Sequence, residues 1–205
     1  FFFFFKLVEL RGQAMDRAVP EGVGAMAAII GLDNEAIAAN CEKAAEGQVL
    51  SPVNFNSPGQ VVIAGHKEAV ERANVLMKES GAKRALPLPV SVPSHCALMK
   101  PAADELATVL ASLEVKTPAI PVLNNVDVVA ETDPAAIKDA LIRQLYSPVR
   151  WTETVEKMAN DDITFEIEMG PGKVLTGLVK RIDKRVDGCA INDVAGLQDA
   201  LSKVQ

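Results

Sequence analysis

An α/β fold is predicted, in which a small βαββαβ subdomain interrupts a larger α/β subdomain that this sequence holds only in part. Three patterns in the residues predict it. Short apolar runs bounded by Gly, Pro and Asn alternate with segments whose apolar residues recur at helical spacing. Between residues 22 and 91 the alternation reads strand, helix, strand, strand, helix, strand. From Pro93 onward single strands are separated by helices, the order that produces a parallel sheet.

Lys6 to Val19 carries Leu7, Leu10, Ala14 and Met15 at helical spacing and stops before Pro20 and Gly22. The preceding Phe1 to Phe5 is expected to be artefactual or unresolved sequence, because five identical aromatics define neither a helical nor a strand face. It also lacks the basic flank and the small-residue cleavage site of a signal peptide. Ala25 to Ile30 is a strand run, and Asp33 stands where an N-cap would open a helix reaching Ala45. Val49 to Phe55 and Gln60 to Ala64 are two strands joined by a turn at Asn56-Ser57-Pro58-Gly59. Lys67 to Ser80 returns to helical spacing at Val70, Ala73, Val75 and Met77, and Lys83 to Leu88 is a strand after Gly81.

This order is that of the ferredoxin-like split motif, so residues 22–91 are expected to form the small subdomain. Residues 6–21 and 92–205 are expected to form the large one. Its elements are a helix from Leu98 to Leu113, a strand from Ile120 to Asn124, helices from Pro134 to Leu145 and Thr152 to Ala159, a strand from Ile163 to Met169 and a helix from Val174 to Ile182. A helix before the insertion and half a layer after it imply that the opening strands of the larger sheet lie upstream of residue 6.

Composition removes several classes of function. With 205 residues and 49% hydrophobic content the chain can bury a sizeable core. No apolar run is long enough for a bilayer span, so no membrane partner is expected. A net charge of −6 argues against nucleic acid as a partner. Cys41, Cys96 and Cys189 are widely spaced and form no CxxC pair, so neither a disulfide framework nor a metal site is expected, and a reducing cytoplasm fits.

Among candidate residues His95 leads. It sits where the small subdomain hands the chain back, at a junction where pockets form, and neutral imidazole is available as a base at pH 7. Ser94 and Cys96 flank it but point to opposite sides in an extended stretch, so neither is a good partner for it. A serine nucleophile on a GxSxG elbow needs glycines two before and two after; none of the eight serines has them. Ser57 comes nearest, and its Asn-Ser-Pro-Gly setting reads as a turn. Arg11 lies in an otherwise apolar helical stretch, with a fork suited to a carboxylate, against the default of a solvated arginine. Gly170-Pro171-Gly172-Lys173 does not meet P-loop spacing and reads as a tight strand-to-helix turn. Lys83 and Arg84 are either a surface pair or a contact for an anionic ligand.

Six blocks carry a resemblance: Val8-Glu9-Leu10-Arg11-Gly12 with Met15, Gly24-Ala25-Met26-Ala27-Ala28, Asn54-Phe55-Asn56-Ser57-Pro58-Gly59-Gln60, Ser94-His95, Gln144-Leu145-Tyr146 and Glu168-Met169-Gly170-Pro171-Gly172. Together, and in this order, they resemble the malonyl-CoA:acyl carrier protein transacylase family from Lys6 to the C-terminus. The resemblance implies a partial α/β-hydrolase-like large subdomain and a cytoplasmic enzyme of fatty acid biosynthesis. Its substrate would be malonyl-CoA and its partner acyl carrier protein, which brings its own phosphopantetheine; the enzyme would need no cofactor. By the same resemblance His95 is the base that activates a serine, and the backbone carbonyl of Gln144 orients it. Arg11 pairs with malonate's free carboxylate. Met15 and Ser94 line the acyl pocket, Asn54 and Asn56 lie beside the thioester arm, and Lys83 and Arg84 meet coenzyme A phosphates or the acidic carrier.

The family's GQGSQ segment and its GHSLG serine are both absent from this sequence. The chain by itself is therefore expected to be inactive. Two other readings stand beside the transferase: a non-catalytic fragment that docks the carrier protein or coenzyme A, and a thioester hydrolase in which Arg11 has no part.

Overall fold

The computed structural model describes residues 2–90 and 92–204, with the side chains of residues 2–4 outside the description. The fold is mixed α/β, and the chain groups into two compact units, Phe1–Phe55 with Gly59–Arg150, and Asn56–Pro58 with Trp151–Gln205.

The first unit opens with helix α1 (Phe2–Ala18), followed by β1 (Gly24–Ile30), α2 (Asn34–Ala45), β2 (Leu50–Ser57, of which Asn56 and Ser57 group with the second unit), β3 (Gln60–His66), α3 (Lys67–Glu79) and β4 (Arg84–Pro87). Helix α1 runs through phenylalanines that were expected to lie outside the fold. Phenylalanine has ordinary helix propensity, and backbone bonding propagates without an amphipathic face. Asp33 caps α2 as its residue type and placement predict: its side chain accepts from the Ala36 N–H at 2.7 Å. The strand order is β2-β3-β1-β4, with β1 antiparallel to both β3 (Ala27↔Ile63) and β4 (Ala28↔Leu86).

Side chains alternate across this sheet. Ala27, Ile29, Val61 and Ile63 join Ile37, Cys41, Val70, Ala73 and Met77 of α2 and α3 in one buried cluster. Met26, Val62 and Ala64 face the other way and pack with Val53 and Cys96. With both faces covered, β1 reads as a continuous apolar run rather than an alternating one. Ile29, Ile37, Ile63 and Met77 are wholly buried, each contributing about 1.5–3 kcal/mol. Gly65 is required where it stands: a Cβ there would meet the Val49 carbonyl oxygen at 2.0 Å.

Beyond β4 a 3₁₀ turn (Ala97–Met99) leads into α4 (Lys100–Ser112), and α5 (Pro134–Arg143) follows. Helices α1 and α4 enclose Ala14, Met99, Ala102, Ala103, Leu106 and Leu110, together with Leu145 after α5. Two backbone bonds tie residue 149 to β2, from Phe55 N–H to Val149 O at 2.9 Å and from Val149 N–H to Val53 O at 2.8 Å. Residues 92–150 group with the four-stranded sheet.

The strand expected from Ile120 to Asn124 does not form. Only a single bridge, Leu123 with Ala130, appears there, and Ile120 and Val122 are 76% and 64% exposed. Pro118 and Pro121 remove ladder donors. The Asn124 side chain then takes the Val126 and Asp127 N–H groups at 3.0 and 2.7 Å, turning the chain.

In the second unit α6 (Trp151–Asn160) precedes β5 (Phe165–Met169), α7 (Val174–Ile182), β6 (Asp187–Ile191) and α8 (Val194–Lys203). Strands β5 and β6 are parallel, as the alternation of elements predicts, with α7 as the crossover. The last strand and helix extend the sequence expectation, which stopped at Ile182. Asp193 caps α8 through the Gly196 N–H at 2.7 Å.

Candidate active site

The first unit assembles its site from the turn after β4 and the carboxyl end of α5. Pro93 packs so closely on Gly24 that a Cβ on the glycine would fall 2.4 Å from the Pro93 ring, which fixes the path of the chain into His95. His95 then adopts φ +65°, a left-handed conformation uncommon outside glycine. Hydrogen bonds hold it there. Its backbone N–H donates to the Leu145 carbonyl at 3.0 Å, and its ring Nδ1 lies 2.8 Å from the Gln144 carbonyl. A carbonyl oxygen only accepts, so Nδ1 carries the proton and Nε2 presents its lone pair.

Gln144 and Leu145 can serve because α5 ends there. The Gln144 N–H donates back to Ala140 at 2.9 Å, whereas the last carbonyls of a helix have no partner within it. They point outward with the partial negative charge of the helix terminus and meet the imidazole.

Electrostatics set the protonation state. Burial lowers the pKa of His95 below the ordinary histidine range, and the positive charge of Arg11 lowers it further. The Gln144 and Ser147 backbone groups oppose these effects but do not cancel them. At neutral pH the ring is therefore a free base.

Arg11 approaches from α1. It is half-buried, burial lowers its pKa, and its Nε is buried with no hydrogen-bond partner among the described residues. A desolvated guanidinium without a counter-ion is costly, and the arrangement fits an anion that completes its fork. Together, a neutral imidazole with an unprotonated Nε2 and a cation whose Nε is unpaired among the described residues suit a proton transfer beside a bound anionic group.

The remaining sequence candidates fall around this pair or away from it. Met15 lies four residues after Arg11 on α1, hence on the same face, and packs against the cluster that holds Met99 and Leu145. Ser94, half-buried, donates its N–H to Val92 at 2.9 Å. Asn54 lies on β2 as the bridge partner of Val149, while Asn56 belongs to the second unit. Lys83 and Arg84 are exposed at the start of edge strand β4, with no ion pair among the described residues, and the structure does not bring them to His95. Lys83 lays its stem over Gly31.

The Leu145 carbonyl, the Ser147 backbone and the Gly24–Pro93 contact act on His95 and carry no signal in the sequence. All are backbone or close-packing effects, which carry no residue-type signal. Cys96 is buried and its thiol is pushed up by that burial, so it is no nucleophile. Gly170 and Gly172, at φ +152° and +102°, form the tight turn between β5 and α7. Among the described residues no helix is long and apolar enough to cross a membrane, and no cluster of His, Cys, Asp or Glu could hold a metal ion.

Comparison with known proteins converges on one family. The model of the acyl transferase domain matches residues 5–202. The chain is 64% identical over 198 residues to the malonyl CoA-acyl carrier protein transacylase of Salmonella typhimurium, covering 97% of this chain and 64% of that protein. It is 46% identical over 199 residues to the protein of the same name from Bacillus subtilis, covering 97% of this chain and 63% of that one. Among solved structures, the acyl carrier protein S-malonyltransferase of Vibrio cholerae superposes with a TM-score of 0.93 at 74% identity, over 95% of this chain and 64% of that one. A malonyl-transacylase solved in complex with a type II PKS acyl-carrier protein gives a TM-score of 0.95 at 62% identity, over 97% of this chain and 64% of that one. The chain thus spans somewhat less than two thirds of the length of these relatives. With its 5–202 stretch matched by the family model and relatives similar along nearly its whole length, this chain belongs to the acyl transferase domain family.

Proposed function

We propose that the full-length protein transfers the malonyl group of malonyl-CoA to the phosphopantetheine thiol of acyl carrier protein, in fatty acid biosynthesis in the cytoplasm. The observation that carries this reading is a neutral His95 whose Nδ1–H is held by the Gln144 carbonyl, in the same unit as an Arg11 whose buried Nε has no partner among the described residues. The nucleophile is a serine on the GHSLG elbow of the family, which these 205 residues do not contain.

His95 Nε2 takes the serine proton as the hydroxyl oxygen attacks the thioester carbonyl. The tetrahedral intermediate collapses, breaking the carbon–sulfur bond, and the imidazolium gives its proton to the departing coenzyme A thiolate. The carrier's thiol repeats the sequence in reverse: Nε2 takes its proton, sulfur attacks the serine ester, and the proton returns to the serine. The Gln144 carbonyl holds Nδ1–H throughout, replacing the carboxylate of a Ser-His-Asp triad.

Arg11 selects the substrate by pairing with the free carboxylate of malonate, and an acetyl group would leave it desolvated and unpaired. Met15 and Ser94 line the acyl pocket, and Asn54 attends the thioester arm. Lys83 and Arg84, exposed and unpaired among the described residues, meet coenzyme A phosphates or the acidic carrier. Residues 22–91 act as a ferredoxin-like subdomain inserted between 6–21 and 92–205 of an α/β-hydrolase-like one; the order β2-β3-β1-β4 supports this.

Intact mass spectrometry of the full-length protein after incubation with malonyl-CoA tests the reading. A malonyl adduct that disappears in His95→Ala and passes to added holo carrier protein supports it. Absence of any adduct, or one formed as fast in His95→Ala, overturns it.

A further inference from the structure

The bond that orients His95 depends on where α5 ends, and a network outside the site fixes that end. Arg143, the last residue of α5, precedes Gln144 directly. Its guanidinium grips the Asp127 carboxylate with both prongs, Nη1 to Oδ1 at 2.9 Å and Nη2 to Oδ2 at 2.6 Å, while Nε reaches Asp139 one turn back at 2.6 Å. The Asp127 and Arg143 side chains are 34% and 30% exposed, so water screens this fork less than an ordinary surface pair.

Asp127 in turn sits on a loop with little freedom. The Asn124 carboxamide accepts from the Val126 and Asp127 N–H groups and donates to the Val129 carbonyl at 2.9 Å. Arg150 closes the same loop from outside, donating its backbone N–H to Asn125 O and its Nη1 to Val126 O, each at 3.2 Å. Val128 is held at φ +59°, where a β-branched residue is strained, and such conformations persist only when their surroundings over-determine them. Asn124 and Gln144 also line one cavity of about 190 Å³, so loop and helix end share a packing environment.

Building on the transferase reading, we infer that Asp127 and Arg143 are positioning residues for the reaction: their fork fixes the carboxyl end of α5 and, through the Gln144 carbonyl, the ring of His95. Neither touches the reacting atoms. Both anchors of the histidine, Gln144 O to the ring and Leu145 O to its backbone, lie within two residues of Arg143. A shift of α5 therefore rotates and translates the base together, and a misplacement of about 1 Å can cost on the order of a hundredfold in rate.

The test is Asp127→Asn in the full-length enzyme, read by the single-turnover rate of serine acylation from malonyl-CoA, its pH profile and the Nδ1–H resonance of His95 in nitrogen-labelled protein. The acylation rate should fall about 10- to 100-fold with the KM for malonyl-CoA held within about twofold. The Nδ1–H signal should shift or broaden. Because the Gln144 carbonyl favours the imidazolium, weakening its bond lowers the His95 pKa further, and the acid limb of the profile should move to lower pH. If Asp127→Asn fails to fold, Arg143→Lys, which keeps the charge without the fork, is read the same way. A normal rate, or a slower rate with unmoved pH limb and unmoved Nδ1–H signal, overturns the positioning role. His95→Ala in the same assay separates the two levels. If it acylates normally, the transferase reading falls; if it is inactive while Asp127→Asn is normal, the positioning role alone falls.

Discussion

Replacing Arg11 by alanine in the full-length protein removes the one group that the proposed mechanism uses to recognise the substrate's charge. The guanidinium is half-buried and its Nε has no partner among the described residues, so a bound carboxylate completes two charge-assisted bonds. Each such bond is worth about 1.5–3 kcal/mol. Discounted for the exposed part of the side chain, the pair is worth about 2–4 kcal/mol. At 1.36 kcal/mol per decade, kcat/KM for malonyl-CoA should fall about 30- to 1,000-fold. The rate with acetyl-CoA should be unchanged or rise, because acetyl leaves the native guanidinium unpaired. The assay is a competition between the two thioesters, with acyl-enzyme measured by intact mass. A second readout comes from charge: Arg11 lowers the His95 pKa, so its removal raises that pKa and moves the acid limb of the profile to higher pH. Retained malonyl preference with an unmoved acid limb would refute the assignment of Arg11.

His95 supplies a prediction about stability. Its folded pKa is depressed by burial, so the unfolded chain binds the extra proton between that value and the ordinary range near 6.5. Stability should therefore rise with pH through that window, and His95→Gln should flatten the rise in denaturant titrations; an equally steep slope in the variant would contradict the buried neutral ring. Asp33→Ala removes the cap on α2 and should cost about 1 kcal/mol, lowering Tm by about 2–4 °C; an unchanged Tm would mean that the cap contributes nothing. Gly65→Ala drives a Cβ into the backbone of Val49 and Leu50, where no side chain can swing aside. A loss of about 1–3 kcal/mol or more is expected by calorimetry, and a Tm within about 1 °C of the parent would show that β2 yields easily.

Much of this protein is legible in local chemistry. The helix from Asn34 to Ala45 could be placed because a cap residue and helical spacing coincide, and α7 because Gly170-Pro171-Gly172 breaks the chain before a strongly amphipathic stretch. The strands of the small sheet stood out as apolar runs between turn residues. The expected strand at Ile120 to Asn124 failed for an equally local reason, two prolines and an asparagine that claims the backbone donors, but its apolar residues masked that signal. For the site, the sequence and its family blocks named His95, Arg11 and Gln144.

By itself, then, the sequence determined which residue types stand in which elements, because propensity, capping and apolar period act over a few neighbours. It also determined the family, through blocks of side chains in a fixed order. Only the tertiary structure decided which nitrogen of His95 is free, because the proton is fixed by the Gln144 carbonyl, 49 residues away in sequence. Only it decided that the Nε of Arg11 is buried with no partner among the described residues and that Asp127 reaches Arg143 from a strained loop. Those properties depend on carbonyl directions, burial and long-range approach, which follow from the packing of distant segments and leave no pattern in any one of them.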